Sequence, residues 1–220
     1  MLADGLLALY QATFEARYLR EAVKLADEML DLFWDDSVQG FFDTGSDHET
    51  LITRPRDFFD NATPSRTSVA TDLLLRLAVL TDNPEYERRA VACLRTLASF
   101  VDQAATGFGR VLAALEYHLS TSQELAVVWP SGPARGKTKG SADKTAGAKQ
   151  LLDVARGLYE PNLLLVGAPA GEDGDLTPLL RERPAIDGKP TAYLCERYAC
   201  QSPTTDPAEL RKQLEAVGPS

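Results

Sequence analysis

Tyr18-Leu-Arg-Glu-Ala-Val23 returns 68 positions later as Tyr86-Glu-Arg-Arg-Ala-Val91. Upstream, Leu6-Leu7 and Leu9 answer Leu74-Leu75 and Leu77, and downstream Gly40-Phe41 answers Gly107-Phe108. Both copies sit on helical periodicity. Leu6, Leu9 and Tyr10 suggest one helix, and Ala22, Leu25, Ala26, Met29 and Phe33 a second. Val69, Leu73, Leu77 and Leu80 form a third stripe, and Tyr86, Ala90, Leu94, Leu97 and Val101 a fourth. Spacings of three and four put these residues on single helix faces. Thr63-Pro64 and Asn83-Pro84 each place a capping side chain before a proline at the first helical position, where the missing N–H costs nothing. The repeating unit is therefore helix, turn, helix and a short extended Gly-Phe segment. Such hairpins bury their apolar faces on neighbours, stacking into solenoids or closing into toroids.

After residue 122 the pattern changes. Leu125-Ala-Val-Val-Trp129, Asn162-Leu-Leu-Leu-Val166 and Thr191-Ala-Tyr-Leu-Cys195 read as buried strands. A helix is expected through Leu151, Leu152, Val154, Ala155, Leu158 and Tyr159, and a short one opening at Thr177-Pro178. Strand alternating with helix predicts parallel pairing. Asp206-Pro207-Ala208-Glu209 is a capping box for a closing helix through Leu214. The division expected is residues 1–122 as helical hairpins and 123–220 as a small α/β segment. A flexible basic loop is expected at 131–147.

The 220 residues are 44% hydrophobic and carry a net charge of −9. That is enough apolar material for one large or two small domains. Residues 131–149 hold five basic side chains against Asp143, a local +4, so the remainder carries −13. An acidic chain argues against nucleic acid or an anionic membrane as partner. No apolar run reaches the ~18 residues of a membrane span, and Met1–Phe14 lacks the basic flank of a secretory signal, so a cytoplasmic location is expected. Cys93, Cys195 and Cys200 make no disulfide framework in a chain of this size, which suits a reducing compartment.

Little in the sequence carries recognisable chemistry. Gly132-Pro-Ala-Arg-Gly136-Lys137-Thr138 follows an apolar strand, but a phosphate loop needs four residues between its glycines, and Pro133 removes a donor. A solvated basic loop is the better reading. His48 and His118 have no second histidine at ligand spacing, so no metal and no cofactor are expected. Cys195 and Cys200 would face opposite sides of one strand, and buried structural thiols are expected there. The informative segment is Arg54-Pro-Arg56-Asp57-Phe-Phe-Asp60-Asn61-Ala-Thr-Pro64-Ser65-Arg-Thr-Ser68-Val69. Asp57 and Asp60 are candidate catalytic carboxylates, with Arg56, Asn61 and Ser65 as substrate-binding partners for a sugar-like ligand. The alternative, with Asp60 and Thr63 capping a helix while Arg56 pairs with an acid, stands equally open.

The run from Asp60-Asn61-Ala62-Thr63-Pro64-Ser65 to Ser68-Val69-Ala70 resembles the signature D-[GN]-A-x-P-S-G-N-S-V-A. That signature belongs to thioredoxin-domain-containing proteins related to a mammalian spermatogenesis-associated protein. Ala192-Tyr-Leu-Cys195, Cys200-Gln201-Ser-Pro203 and Thr205-Asp206-Pro207 are similar to that family's C-terminus. The resemblance covers most of the chain except 131–149, and it departs at Arg66-Thr67, where the family has Gly-Asn. It implies the C-terminal portion of a longer protein: a partial (α/α) toroid like the six-hairpin glycosidases, mainly α, with a small C-terminal α/β segment. The family's thioredoxin-like part and any C-x-x-C lie outside this sequence, so redox activity is not carried over. Two functions are then expected as alternatives: a carbohydrate-active or carbohydrate-binding domain, or a structural fragment docking on the missing thioredoxin-like or toroid portion. Self-association through open helical faces goes with the second.

Overall fold

The computed structural model describes residues 1–49, 53–131, 141–196 and 199–217. The chain divides into two compact units, Met1–Leu119 and Ser120–Ser220.

The first unit is built from α1 (Leu2–Thr13), α2 (Ala16–Phe33), α3 (Arg66–Thr81), α4 (Pro84–Ala104) and α5 (Gly109–Leu119). Between α2 and α3, β1 (Trp34–Asp35) pairs antiparallel with β2 (Gly40–Phe41). Helix α3 is the core: residues 67–75 are all buried, as are Leu77 and Leu80. It touches α1, α2, α4 and α5, which is why a run as apolar as Leu73-Leu74-Leu75 is accommodated without an exposed face. Helices α2 and α4, amphipathic by contrast, bury Leu19, Ala22 and Ala26, and Tyr86, Ala90, Cys93, Leu94 and Leu97. Asn83 caps α4 as its sequence predicts, accepting from Glu85 N–H at 3.1 Å, with Pro84 in the first turn. Two local expectations are corrected. The cap of α3 is Ser65, not Thr63, because Ser65 Oγ accepts from Ser68 N–H at 3.1 Å. In α1 the buried residues are Ala3, Leu7 and Tyr10, while Leu9 is exposed.

The second unit centres on a four-stranded sheet ordered β4-β3-β5-β6, from β3 (Gln123–Trp129), β4 (Leu163–Pro169), β5 (Thr191–Glu196) and β6 (Ala199–Cys200). Helix α6 (Ser141–Arg156) packs on β3 and β5, and α7 (Pro207–Val217) on β5 and α6. Asp206 Oδ1 caps α7 from Ala208 N–H at 2.9 Å. Strands β3 and β4 run parallel because α6 makes the crossover between them. The expected all-parallel pairing fails at β5, which is antiparallel to β3. Between β4 and β5 the chain forms only three-residue 3-10 turns at Pro178–Leu180 and Ile186–Gly188, where a helix was expected. Positive φ at Asp173, Glu182 and Asp187 and the prolines at 184 and 190 break helical continuity, so no crossover element returns the chain to the parallel direction. The expected loop to residue 147 is also shorter, since Ser141–Gly147 is already helical. A Cβ at Gly147 would lie 3.2 Å from Pro190 Cγ, so a larger residue there would need that ring to give. The phosphate-loop-like segment after Ser131 falls at 132–140, outside the described residues.

The expectation of a mainly α partial (α/α) toroid is therefore corrected. Almost half the chain, Ser120–Ser220, is organised by a mixed sheet, and the helical unit carries a β-hairpin of its own. Its helices converge on the buried α3 and do not form a ring of equivalent hairpins. The repeat explains the reason. Its two helix pairs are real, but its trailing Gly-Phe segments diverge: Gly40–Phe41 is a strand, whereas Gly107 closes a 3-10 turn and Phe108 leads into α5. Among the described residues no helix is long and apolar enough to cross a membrane.

Candidate functional site

The segment 56–68 folds as an irregular span into α3. Arg56 Nε donates to Phe41 C=O at 3.2 Å, and its guanidinium lies over the Phe58 ring at 4.7 Å. Asp57 is exposed, and its Oδ1 accepts from Phe59 N–H at 3.2 Å, a local turn of the kind aspartate favours. Asn61 is exposed and donates to Phe59 C=O at 3.4 Å. Ser65 is buried at the cap. Asp60 is the most connected: Oδ1 accepts from Ser65 N–H at 2.8 Å and Ser68 Oγ–H at 2.6 Å, and Oδ2 accepts from Arg110 N–H at 2.7 Å. One carboxylate thus ties the start of α3 to the start of α5. Asp57 and Asp60 share no hydrogen-bond partner among the described residues. Arg66, where the resembling family has glycine, points to Asp43 at 3.4 Å, and Thr67 is buried with its hydroxyl donating to Asp57 C=O.

Arg110 leads from this span to a site not foreseen in the sequence. Its Nη2 lies 2.5 Å from Asp72 Oδ2 and 3.2 Å from Asp4 Oδ1. Arg76 Nε, one turn along α3, lies 3.1 Å from Asp72 Oδ1 and its guanidinium stacks on the Tyr117 ring at 4.6 Å. Asp72 is 3% exposed, while Arg76, Arg110 and Asp4 are 21%, 34% and 32% exposed. These four charges line an open cleft of about 200 Å³ with Leu7, Ala8, Gln11 and Ala113. The buried carboxylate accepts from two guanidiniums, each taking one of its oxygens. The cleft is electrically balanced, two acids against two bases, with an apolar wall from α1 and α5. The sequence does hold a signal for it. Asp72 and Arg76 are a charged i, i+4 pair flanking the apolar run Leu73-Leu74-Leu75, a placement that a buried helix tolerates only when the charges are paired.

The remaining candidates are placed as follows. His48 is exposed, and His118 Nδ1 faces Glu87 at 3.8 Å. No cluster of three or more metal-ligating acids, histidines or cysteines occurs among the described residues. Cys93 is buried, and burial pushes its thiol pKa up. The expectation of free thiols at Cys195 and Cys200 is corrected, since they form a disulfide. The chain turns back after β5, so the two residues are register partners on adjacent antiparallel strands and not neighbours along one strand.

A helical unit with a balanced polar cleft, followed along the chain by a mixed-sheet α/β unit, is the class that fold and site define. No protein-family model matches the chain. It is similar to spermatogenesis-associated protein 20 of Homo sapiens, 30% identical over 214 residues, covering 96% of this chain and 26% of the relative. The Mus musculus protein of that name is 30% identical over 217 residues, with the same coverage. An uncharacterized protein of Caenorhabditis elegans is 24% identical over 212 residues, covering 96% of this chain and 27% of that one. The chain spans about a quarter, 26%, of the length of the mammalian relatives it matches.

Proposed function

We propose that the helical unit binds a small neutral polyhydroxylated molecule, a carbohydrate or sugar-like ligand, in the cleft between α1, α3 and α5. The observation that carries this reading is the Asp72 carboxylate buried at the cleft with Arg76 and Arg110 on its two oxygens. Because Asp4 and Asp72 cancel the two arginines, the cleft offers an ion of either sign no net attraction. A hydroxyl, which both donates and accepts, matches alternating guanidinium donors and carboxylate acceptors. Arg110 is well suited, since its two carboxylate contacts use a single nitrogen of a group with five N–H donors. The apolar wall of Leu7, Ala8 and Ala113 suits the C–H face of a sugar ring. At about 200 Å³ the cleft is smaller than the ~300–1,000 Å³ of drug-sized sites, which favours a single ring. Asp60 enters this reading as a positioning residue, because it holds the Arg110 backbone.

Titration calorimetry with neutral monosaccharides, sugar phosphates and uronic acids tests the reading. Neutral sugars bind best, and Ala113→Leu, which fills the cleft from an exposed position, removes the heat without lowering the melting temperature. Equal or tighter binding of the anionic sugars would overturn it.

A second reading has its own observation. Met1, Leu2 and Leu9 are 60%, 70% and 45% exposed on or beside α1. They are suited to docking on the remainder of a longer protein, a thioredoxin-like portion among its parts, or on a second copy of this chain. Sedimentation of the wild type against Leu2→Lys and Leu9→Lys separates this from the first reading: association lost in the variants, with sugar binding unchanged, supports docking alone.

A further inference from the structure

The β5–β6 hairpin carries a second constellation, independent of the cleft. Cys195 is wholly buried on β5, and its disulfide partner Cys200 lies on the exposed strand β6. The two sulfurs have unlike surroundings. Arg183 Nη2 donates to Cys200 Sγ at 3.2 Å, and its guanidinium lies 5.6 Å from the Tyr193 ring centre. Tyr193 Oη in turn donates to Pro184 C=O at 2.6 Å, fixing the segment that carries the arginine. Arg183 Nη1 is buried with no hydrogen-bond partner among the described residues. Glu124, buried on β3 and register partner of Cys195, supplies the opposing charge. Burial nonetheless pushes the Arg183 pKa down. A negative charge forming on Cys200 Sγ would stand within hydrogen-bond reach of this guanidinium. A cation against an accessible sulfur is the arrangement that stabilises thiolate over thiol.

We propose that Cys195 and Cys200 form a thiol–disulfide exchange site, with Cys200 as nucleophile, Cys195 as resolving thiol, and low-molecular-weight thiols and their disulfides as co-substrates. In the oxidising direction the Cys200 thiolate attacks one sulfur of a small disulfide, forming a mixed disulfide and expelling one small thiolate. That thiolate takes the proton of Cys195, whose sulfur then attacks Cys200 Sγ, closing the protein disulfide and expelling the second small thiolate. The latter is protonated by the proton Cys200 released on ionising. Two electrons pass from the protein dithiol to the small disulfide, giving two small thiols. In reverse, an external thiolate attacks Cys200, the exposed sulfur, Cys195 leaves, and a second small thiol releases Cys200 onto Arg183. Cys93 takes no part, being buried with its thiol pKa raised.

The test uses the full chain, reduced and then mixed with oxidised glutathione, followed by intact-mass analysis. Wild type passes to the internal disulfide, Cys195→Ser stops at a stable adduct on Cys200, and Cys200→Ser forms adduct at least tenfold more slowly. In the Cys195→Ser background, iodoacetamide alkylation of Cys200 at pH 7 slows about tenfold with Arg183→Met and is restored by Arg183→Lys. Circular dichroism confirms that each variant is folded. Equal adduct rates at Cys195 and Cys200 in the two serine variants would overturn the proposal independently of Arg183. An Arg183→Met alkylation profile that matches the parent at every pH would overturn the role given to the arginine.

Discussion

Arg110 and Asp72 meet across α5 and α3, with Nη2 2.5 Å from Oδ2, and the same nitrogen reaches Asp4 on α1. One guanidinium therefore connects three of the five helices of the first unit, and its backbone N–H is held in turn by Asp60. The packing of these helices therefore passes through this group, and so would ligand binding on the proposed reading.

Asp72→Ala leaves two guanidiniums without their shared buried carboxylate. The loss expected is about 2–3 kcal/mol, below the ~3–5 of a fully buried pair because Arg110 is a third exposed. Urea unfolding measures it. The Asp72→Ala/Arg110→Ala double variant should lose less than the sum of the singles, because the second substitution removes a charge the first has orphaned.

Asp60→Ala removes the acceptor for Ser65 N–H, Ser68 Oγ–H and Arg110 N–H. A stability loss of about 0.5–2 kcal/mol is expected, the range of a lost helix cap. Asp57→Ala, which gives up one exposed contact to Phe59 N–H, should change stability by less than about 0.5 kcal/mol. Denaturant midpoints of the two variants, compared side by side, check the ordering.

The two glycines of the repeat should differ in cost. A Cβ at Gly107 would lie 2.8 Å from Phe59 Cδ1, a ring packed on Phe108 at 5.0 Å. At Gly40 it would meet Arg56 Nη2, the far end of a long side chain. Gly107→Ala should therefore cost about 1–3 kcal/mol and Gly40→Ala less, as thermal melts can show.

The Arg88 hydrogen bond, with further help from Arg89, holds the Glu85 carboxyl down to about 2 from an ordinary 4.5. A carboxylate with a depressed folded pKa contributes stability that is fully present above 4.5 and is lost as pH falls from there toward 2. Glu85 is about half exposed, so the effect is small and weakens with salt. The Glu85→Gln variant should melt lower than wild type at pH 7, the gap closing by pH 2 and narrowing in 1 M salt.

Where apolar period and turn chemistry act locally, the fold was legible in the sequence. The stripes of α2, α3 and α4, the Asn83-Pro84 cap, and strands β3, β4 and β5 lie where their residues place them. What failed depended on neighbours far along the chain. The direction of β5 follows from the missing crossover helix after β4, and the Cys195–Cys200 bond from a return strand only two residues long. The resemblance pointed to a toroid, but the repeat's second Gly-Phe leads into α5 instead of a hairpin. The segment 54–69 was singled out as a polar run leading into an apolar helix, and α3 does begin at Arg66, yet the cleft was missed. Asp4, Asp72 and Arg110 are separated by up to 106 positions, and only Asp72-Arg76 marks the site locally.

The central claim, that the cleft of α1, α3 and α5 receives a neutral sugar-like ligand, is tested most directly by amide chemical shifts of the isotope-labelled chain titrated with neutral monosaccharides. The account predicts saturable shifts at Leu7, Ala8, Gln11, Arg76, Arg110 and Ala113, absent in Ala113→Leu. Saturable shifts confined to other residues, or none with any neutral sugar while the spectrum reports a folded chain, would contradict it.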